Sequence, residues 1–247
     1  MKSLLCAAGA VIAALAFGAA PAQATVVIAG TRVVFPAATG EVTVRLSNEG
    51  SQPALVEAWI DDGDPASTPD TAKVPFLVTP PLARMNAGKG QSLRIVYAGQ
   101  PLPADRESLF WLNVLEIPPK PVAQTGEEQN TLQFAVRSRL KLFFRPAQLA
   151  GDPATASQGI VWKSVRNGSA YALEAHNASP YYITFSKVSA IDGQASYESE
   201  TGMVAPQSTL RLPLKSLDHT LPAGSGVDYT VINDFGAATP YKGKIEP

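Results

Sequence analysis

Thr131-Leu132-Gln133-Phe134-Ala135-Val136-Arg137-Ser138-Arg139-Leu140-Lys141-Leu142-Phe143-Phe144-Arg145 is the longest strand candidate in the chain. Its even positions are Leu132, Phe134, Val136, Ser138, Leu140, Leu142 and Phe144, and all but Ser138 are apolar. Its odd positions include Thr131, Gln133, Arg137, Arg139, Lys141 and Arg145. A period of two sends alternate side chains to opposite faces of an extended strand. One face is therefore oily, the other is polar and cationic, and Pro146 stops the run.

The same signal recurs on both sides. Upstream, Thr25–Ile28 leads through Gly30 into Arg32–Phe35, and Glu41–Leu46 alternates polar with apolar residues. Ala54–Ile60, Val74–Val78, Ser92–Tyr97 and Leu109–Ile117 are further strand candidates, separated by turn residues. Pro80-Pro81 is expected to stop the run Val74–Val78, and Asp61-Asp62-Gly63-Asp64 reads as a solvated turn. Lys120–Asn130 is polar and reads as an exposed loop. Downstream, Ile160–Lys163, Tyr171–His176, Tyr181–Val188, Thr209–Leu214, Tyr229–Asn233 and Tyr241–Ile245 form a second set. Strands at this spacing suit an all-β sandwich of immunoglobulin-like size, once at 25–146 and again at 160–247. Residues 147–159, with Gly151, Asp152 and Pro153, are the expected linker.

Composition agrees. The 247 residues are 45% hydrophobic and 17% charged, enough to bury a core. The 21 Pro and 19 Gly argue against long helices. A net charge of −1 gives no basic excess for a phosphate backbone, so nucleic acid is not an expected partner.

Residues 1–24 read as a secretory leader. Lys2 is followed by an apolar run from Leu4 to Phe17 and by Ala22-Gln23-Ala24, and cleavage is expected after Ala24. The run is short for a membrane span and no positive stop-transfer cluster follows, so no membrane insertion is expected after cleavage. Cys6, the only cysteine, lies in the leader. The mature chain then depends on packing and hydrogen bonds, without disulfides.

Little supports an enzyme. Only His176 and His219 are present, and no Gly-x-Ser-x-Gly elbow surrounds any serine. The spacing of Asp61, Asp62 and Asp64 lacks the terminal Glu of a calcium loop. No catalytic residue, metal site or cofactor is expected.

The stretch Pro103-Ala104-Asp105-Arg106-Glu107-Ser108-Leu109-Phe110-Trp111-Leu112-Asn113-Val114-Leu115-Glu116-Ile117-Pro118-Pro119 resembles the signature of the periplasmic pilus-assembly chaperones of the chaperone–usher pathway. Thr31–Phe35, Ala58-Trp59-Ile60, Val78-Thr79-Pro80-Pro81 and Leu140–Pro146 resemble further landmarks of that family in order. Asn177–Thr184 and Val231-Ile232-Asn233-Asp234-Phe235-Gly236 resemble its second-domain landmarks. The resemblance spans essentially the whole mature chain. It implies two immunoglobulin-like sandwiches in a boomerang arrangement, periplasmic location, and no enzymatic activity.

The resemblance also implies partners and roles. The partners are pilus subunits, which are immunoglobulin-like folds lacking a strand, and an outer-membrane usher that receives them. Leu132, Phe134 and Val136 are the implied donor-strand residues, filling a subunit's groove by strand addition. Each is worth roughly 1.5–3 kcal/mol when fully buried. Alternation alone equally describes an ordinary strand packed inside its own sandwich. Arg32 and Lys141 are the implied anchor for a subunit's C-terminal carboxylate. A lone cation on a strand is usually just solvated. Glu107, Arg145 and Asp234 are implied interdomain salt bridges, with Arg94 a looser addition. The loop Lys120–Asn130, without cysteines, suggests the short-loop subclass. An apolar strand edge also invites a self-capping homodimer.

A secreted adhesin or carbohydrate-binding sandwich is the alternative. It would present aromatic residues on loops, and Tyr181 and Tyr182 are the pair that could serve.

Overall fold

The computed structural model describes residues 25–120, 133–168 and 170–247. The expected leader, most of the loop Lys120–Asn130, and Leu132 lie outside the described residues.

The first half of the chain forms β1 (Val26–Ile28), β2 (Arg32–Pro36), β3 (Glu41–Asn48), β4 (Ala54–Asp61), β5 (Phe76–Thr79), β6 (Leu82–Met85), β7 (Gly90–Tyr97), β8 (Ser108–Ile117) and β9 (Val136–Arg145). They build a sandwich from a sheet ordered β1-β3-β7-β5 and a sheet ordered β2-β9-β8-β4-β6. The first strand divides between the two. β1 pairs antiparallel with β3, the chain turns at Gly30 (φ 100°), and β2 joins the other sheet in parallel with β9. Glycine is what permits that left-handed crossing.

Alternation explains the core. Val33 and Phe35 of β2, Leu93 and Ile95 of β7, Leu112 and Val114 of β8, and Leu140, Leu142 and Phe144 of β9 are all buried. Phe35 stacks on Phe144 at 5.8 Å, and Phe76 meets Phe110 edge-on at 4.9 Å. Such pairs add to the area term that drives burial.

The second half forms β10 (Val161–Asn167), β11 (Ala170–Asn177), β12 (Ile183–Asp192), β13 (Ala195–Glu198), β14 (Gly202–Val204), β15 (Ser208–Pro213), β16 (Gly226–Ile232) and β17 (Ala238–Lys244). One sheet is ordered β10-β11-β15, the other β13-β12-β16-β17, with β14 also pairing β12. Trp162 is completely buried against Phe185 and Tyr229. A Cβ at Gly243 would lie 2.8 Å from the Trp162 ring, so the indole occupies the space a side chain would need. Between the two sandwiches runs one helical turn, α1 (Pro153–Ala156), whose N-cap Asp152 accepts from the Ala154 N–H at 2.8 Å.

The structure departs from the sequence reading in places with clear causes. Pro80-Pro81 stops β5 at Thr79, as expected, without ending the sheet structure. The Thr79–Pro80 bond is cis, β6 begins at once, and the Pro81 carbonyl accepts from the Ala58 N–H at 2.8 Å. The proline pair thus carries the chain from one sheet to the other. β6, β13 and β14 are short additions that turn-rich sequence concealed. The long alternating run enters the sheet only at Val136; residues 133–135 precede any strand.

Candidate functional site

β9 changes character along its length. Its even face is core from Leu140 onward, yet Val136 is 40% and Phe134 69% exposed. The sandwich ends before the oily face does. β8 pairs with β9 from Glu116↔Val136 to Ser108↔Phe144, whereas β2 pairs only from Arg32↔Lys141 to Pro36↔Arg145. Among the described residues, one edge of β9 is therefore unpaired from Val136 to Leu140. Just before the strand, Gln133 Nε2 donates to the Pro118 carbonyl at 2.7 Å and to the Pro119 carbonyl at 3.1 Å, tying the approach to the end of β8.

Where β2 begins to pair, Arg32 stands opposite Lys141. Both are half-buried and both reach the second sandwich. Arg32 donates to the Ile232 carbonyl at 2.8 Å, and Lys141 Nζ donates to Thr184 Oγ1 at 3.3 Å. The guanidinium lies over the Phe143 ring at 5.7 Å. Burial pulls the Lys141 ammonium below its ordinary value and repulsion from Arg32 adds to the effect. Burial also lowers Arg32, against the pull of Asp234 and Glu107. Arg32 Nε is buried without a hydrogen-bond partner among the described residues.

Beside this pair, Arg145 joins the two sandwiches. Its Nε donates to Glu107 Oε1 at 2.7 Å, and its terminal nitrogens grip Asp234 at 2.7 and 3.0 Å. Glu107 also accepts from the Tyr182 N–H at 2.8 Å, and its own N–H donates to the Pro180 carbonyl at 2.9 Å. Burial raises the Glu107 carboxyl despite Arg145, while bonds from Asp234 and Glu107 overcome burial and raise Arg145. The two directions pull the ionised pair in opposite senses. Two carboxylates on one guanidinium at 2.7 Å favour a charged Arg145, with Glu107 the costlier partner to bury. Across the whole cluster, Arg32, Lys141 and Arg145 face Glu107 and Asp234, so one positive charge is left over.

The comparisons with known proteins bear on this arrangement. The family model described as "Pili and flagellar-assembly chaperone, PapD N-terminal domain" matches residues 25–150, and "Pili assembly chaperone PapD, C-terminal domain" matches residues 155–243. The chain belongs to the PapD-like pilus-assembly chaperones. Chaperone protein FimB/FhaD of Bordetella pertussis is 47% identical over 237 residues, covering 94% of this chain and 93% of that one. The crystal structure of the YadV chaperone superposes with a TM-score of 0.76 at 37% identity, covering 90% of this chain and 100% of that one. A chain from the Salmonella enterica SafA pilin–SafB chaperone complex superposes with a TM-score of 0.73 at 28% identity, covering 92% of this chain and 99% of that one.

Three sequence expectations need correcting in this chaperone. Arg94 is not near the interdomain cluster; it makes an exposed pair with Glu41 across β3 and β7. Tyr181 and Tyr182 are not free loop aromatics. Tyr181 is 5% exposed beneath the Arg145 guanidinium and donates to the Gly151 carbonyl at 3.1 Å, while Tyr182 packs on Phe143 at 5.6 Å. The adhesin alternative thereby loses the pair it relied on. Asp61 is not a solvated turn residue, because it ends β4 inside the sheet at 1% exposure. His219 is exposed and bonded to Asp218 and Asp192, away from β9.

Proposed function

We propose that this chaperone binds, folds and caps pilus subunits in the periplasm by donor-strand complementation, without enzymatic chemistry, and passes them to an outer-membrane usher. The observation that carries the reading is the emergence of the β9 oily face from its own sandwich. Val136 is exposed at the start of the face that buries Leu140 and Leu142, and Phe134, just before the strand, is exposed too. Beside them, the unpaired edge from Val136 to Leu140 can bond the backbone of an incoming strand. Leu132 extends this donor series by sequence alone.

In this reading Arg32 and Lys141 hold the subunit's C-terminal carboxylate and set the register of the added strand. The one positive charge left in the cluster supports it: a single carboxylate balances the site. Charge-assisted bonds of this kind are worth roughly 1.5–3 kcal/mol each. Glu107, Arg145 and Asp234 keep the sandwiches in the relation that brings Thr184 and Ile232 to the two cations. The functional units follow as 25–146 and 160–247, joined by 147–159, after loss of residues 1–24.

Periplasmic coexpression with a pilus subunit tests the proposal. A soluble one-to-one complex is expected, and recovery of the subunit only as aggregate or proteolytic fragments overturns it.

A further inference from the structure

The outer, odd-numbered face at the start of β9 is as constrained as the inner face at Val136 is open. Arg137 lies 4.6 Å over the Trp59 ring, and Arg139 lies 4.9 Å over the Trp111 ring. Both donate through Nε to Asn113 Oδ1, at 2.9 and 3.2 Å. Arg137 also donates to the Pro65 carbonyl at 2.8 Å and to Ser67 Oγ at 3.2 Å. These two groups belong to the loop after β4, which folds back over the sheet.

Asp61 sits at the centre. Its Oδ1 accepts from Arg139 at 2.7 Å and from the Gly63 N–H at 2.7 Å. Its Oδ2 accepts from Asn113 at 2.6 Å and Ser67 at 3.0 Å, and lies 3.5 Å from Arg137. One buried carboxylate thus serves two guanidiniums, and both are anchored exactly where β9 lacks its second neighbour. Cation–π stacking and charge-assisted bonds are strongest in such partly desolvated surroundings.

We propose that Asp61, acting through Arg137 and Arg139, is a positioning residue that holds the unpaired edge of β9 in strand geometry before a subunit arrives. The inference rests on the donor-strand reading. A strand with a single hydrogen-bonded neighbour frays readily. A frayed edge must be ordered again during capture, and that ordering slows association and weakens the complex. The cage removes this penalty from one side only. It leaves the other edge, and the face bearing Phe134 and Val136, free to receive a partner.

The test compares the unaltered chain with Asp61→Asn, an isosteric change that keeps a polar group and removes the charge. The probe is the subunit that co-purifies with the unaltered chain. The inference expects amides at 136–140 that bond β8 to exchange about tenfold faster through local openings that low denaturant does not promote, with those at 141–145 following the change in global stability alone. It also expects association with the subunit to slow by about tenfold per folded chaperone. Equal acceleration across all of β9, or association at the unaltered rate, overturns the inference and reduces Asp61 to sandwich glue. If Asp61→Asn does not fold, Ser67→Ala decides the matter on the same two measurements. It removes a bond to each of Asp61, Arg137 and Trp59 and leaves the carboxylate in place. Phe134→Asp separates the two levels of argument. Normal capture by Phe134→Asp sinks the donor-strand reading itself. Lost capture there, beside normal association of Asp61→Asn, sinks only the positioning role.

Discussion

Arg32 and Lys141 are paired residues of two parallel strands, β2 and β9, and burial, helped by the approach of these like charges, holds the Lys141 ammonium below its ordinary value. Two half-buried cations side by side cost free energy unless an anion joins them. The cluster's remaining acids, Glu107 and Asp234, are already bound to Arg145.

Arg32→Ala or Lys141→Ala is therefore expected to abolish subunit recovery while the free chaperone stays folded. Removing either cation relieves repulsion in the empty site, so the melting temperature should hold or rise slightly. Periplasmic pull-down and thermal denaturation check the two halves. Normal subunit recovery from either variant contradicts the anchor.

Position along β9 decides the outcome of a charge insertion. Phe134→Asp places a carboxylate where the native side chain is 69% exposed, so the free chain should fold normally and fail to capture. Leu142→Asp places it at a completely buried site on the same face and should unfold the first sandwich, at a cost of several kcal/mol. Circular dichroism with pull-down distinguishes them. If Phe134→Asp unfolds the free chain as Leu142→Asp does, the face belongs to its own core along its whole length.

These two residues also mark how far the sequence could be read. Period-two counting placed Phe134, Val136, Leu140, Leu142 and Phe144 on one face; β9 carries Val136, Leu140, Leu142 and Phe144, and Phe134 precedes it. It could not say where the sandwich stops, because that depends on how far β2 extends along β9, a long-range pairing with no local signal. Nor could it find Asp61. An Asp-Asp-Gly-Asp run carries every mark of a solvated turn, and Asp61 is held by Asn113 and Arg139, which are remote in sequence, together with Ser67 six residues on. Pro80-Pro81 stops its strand as the sequence reads, but no local signal shows that it also serves as a passage between sheets.

The interdomain ion pairs differ in burial, and the cost of breaking them should follow. Glu107 has a side chain only 1% exposed, whereas Asp234 is 35% exposed. Arg145→Met strands both carboxylates and should destabilise the chain by about 3–5 kcal/mol. Asp234→Asn leaves Arg145 paired with Glu107 and should cost about 1 kcal/mol, since solvent screens the lost charge. Urea denaturation of the two variants measures the difference, and equal losses would show that burial does not govern this network.

Asp61 gives a pH dependence with a definite sign. Burial alone would raise its carboxyl, but bonds from Asn113, Gly63, Ser67 and Arg139 outweigh burial and hold it below the ordinary 3.8. A group whose folded pKa is depressed contributes stability above its unfolded value and loses it as pH falls through the folded value. The advantage of the unaltered chain over Asp61→Asn should accordingly be level across neutral pH, at about 3 kcal/mol for one lost partner of a buried ion pair. It should begin to shrink as the pH drops below about 4, and keep shrinking through the acid range. Urea midpoints taken at a series of pH values provide the check. An advantage that stays constant down to the acid limit would mean that the charge on Asp61 contributes nothing, and that Arg137 and Arg139 are held by Asn113, the tryptophans and Ser67 alone.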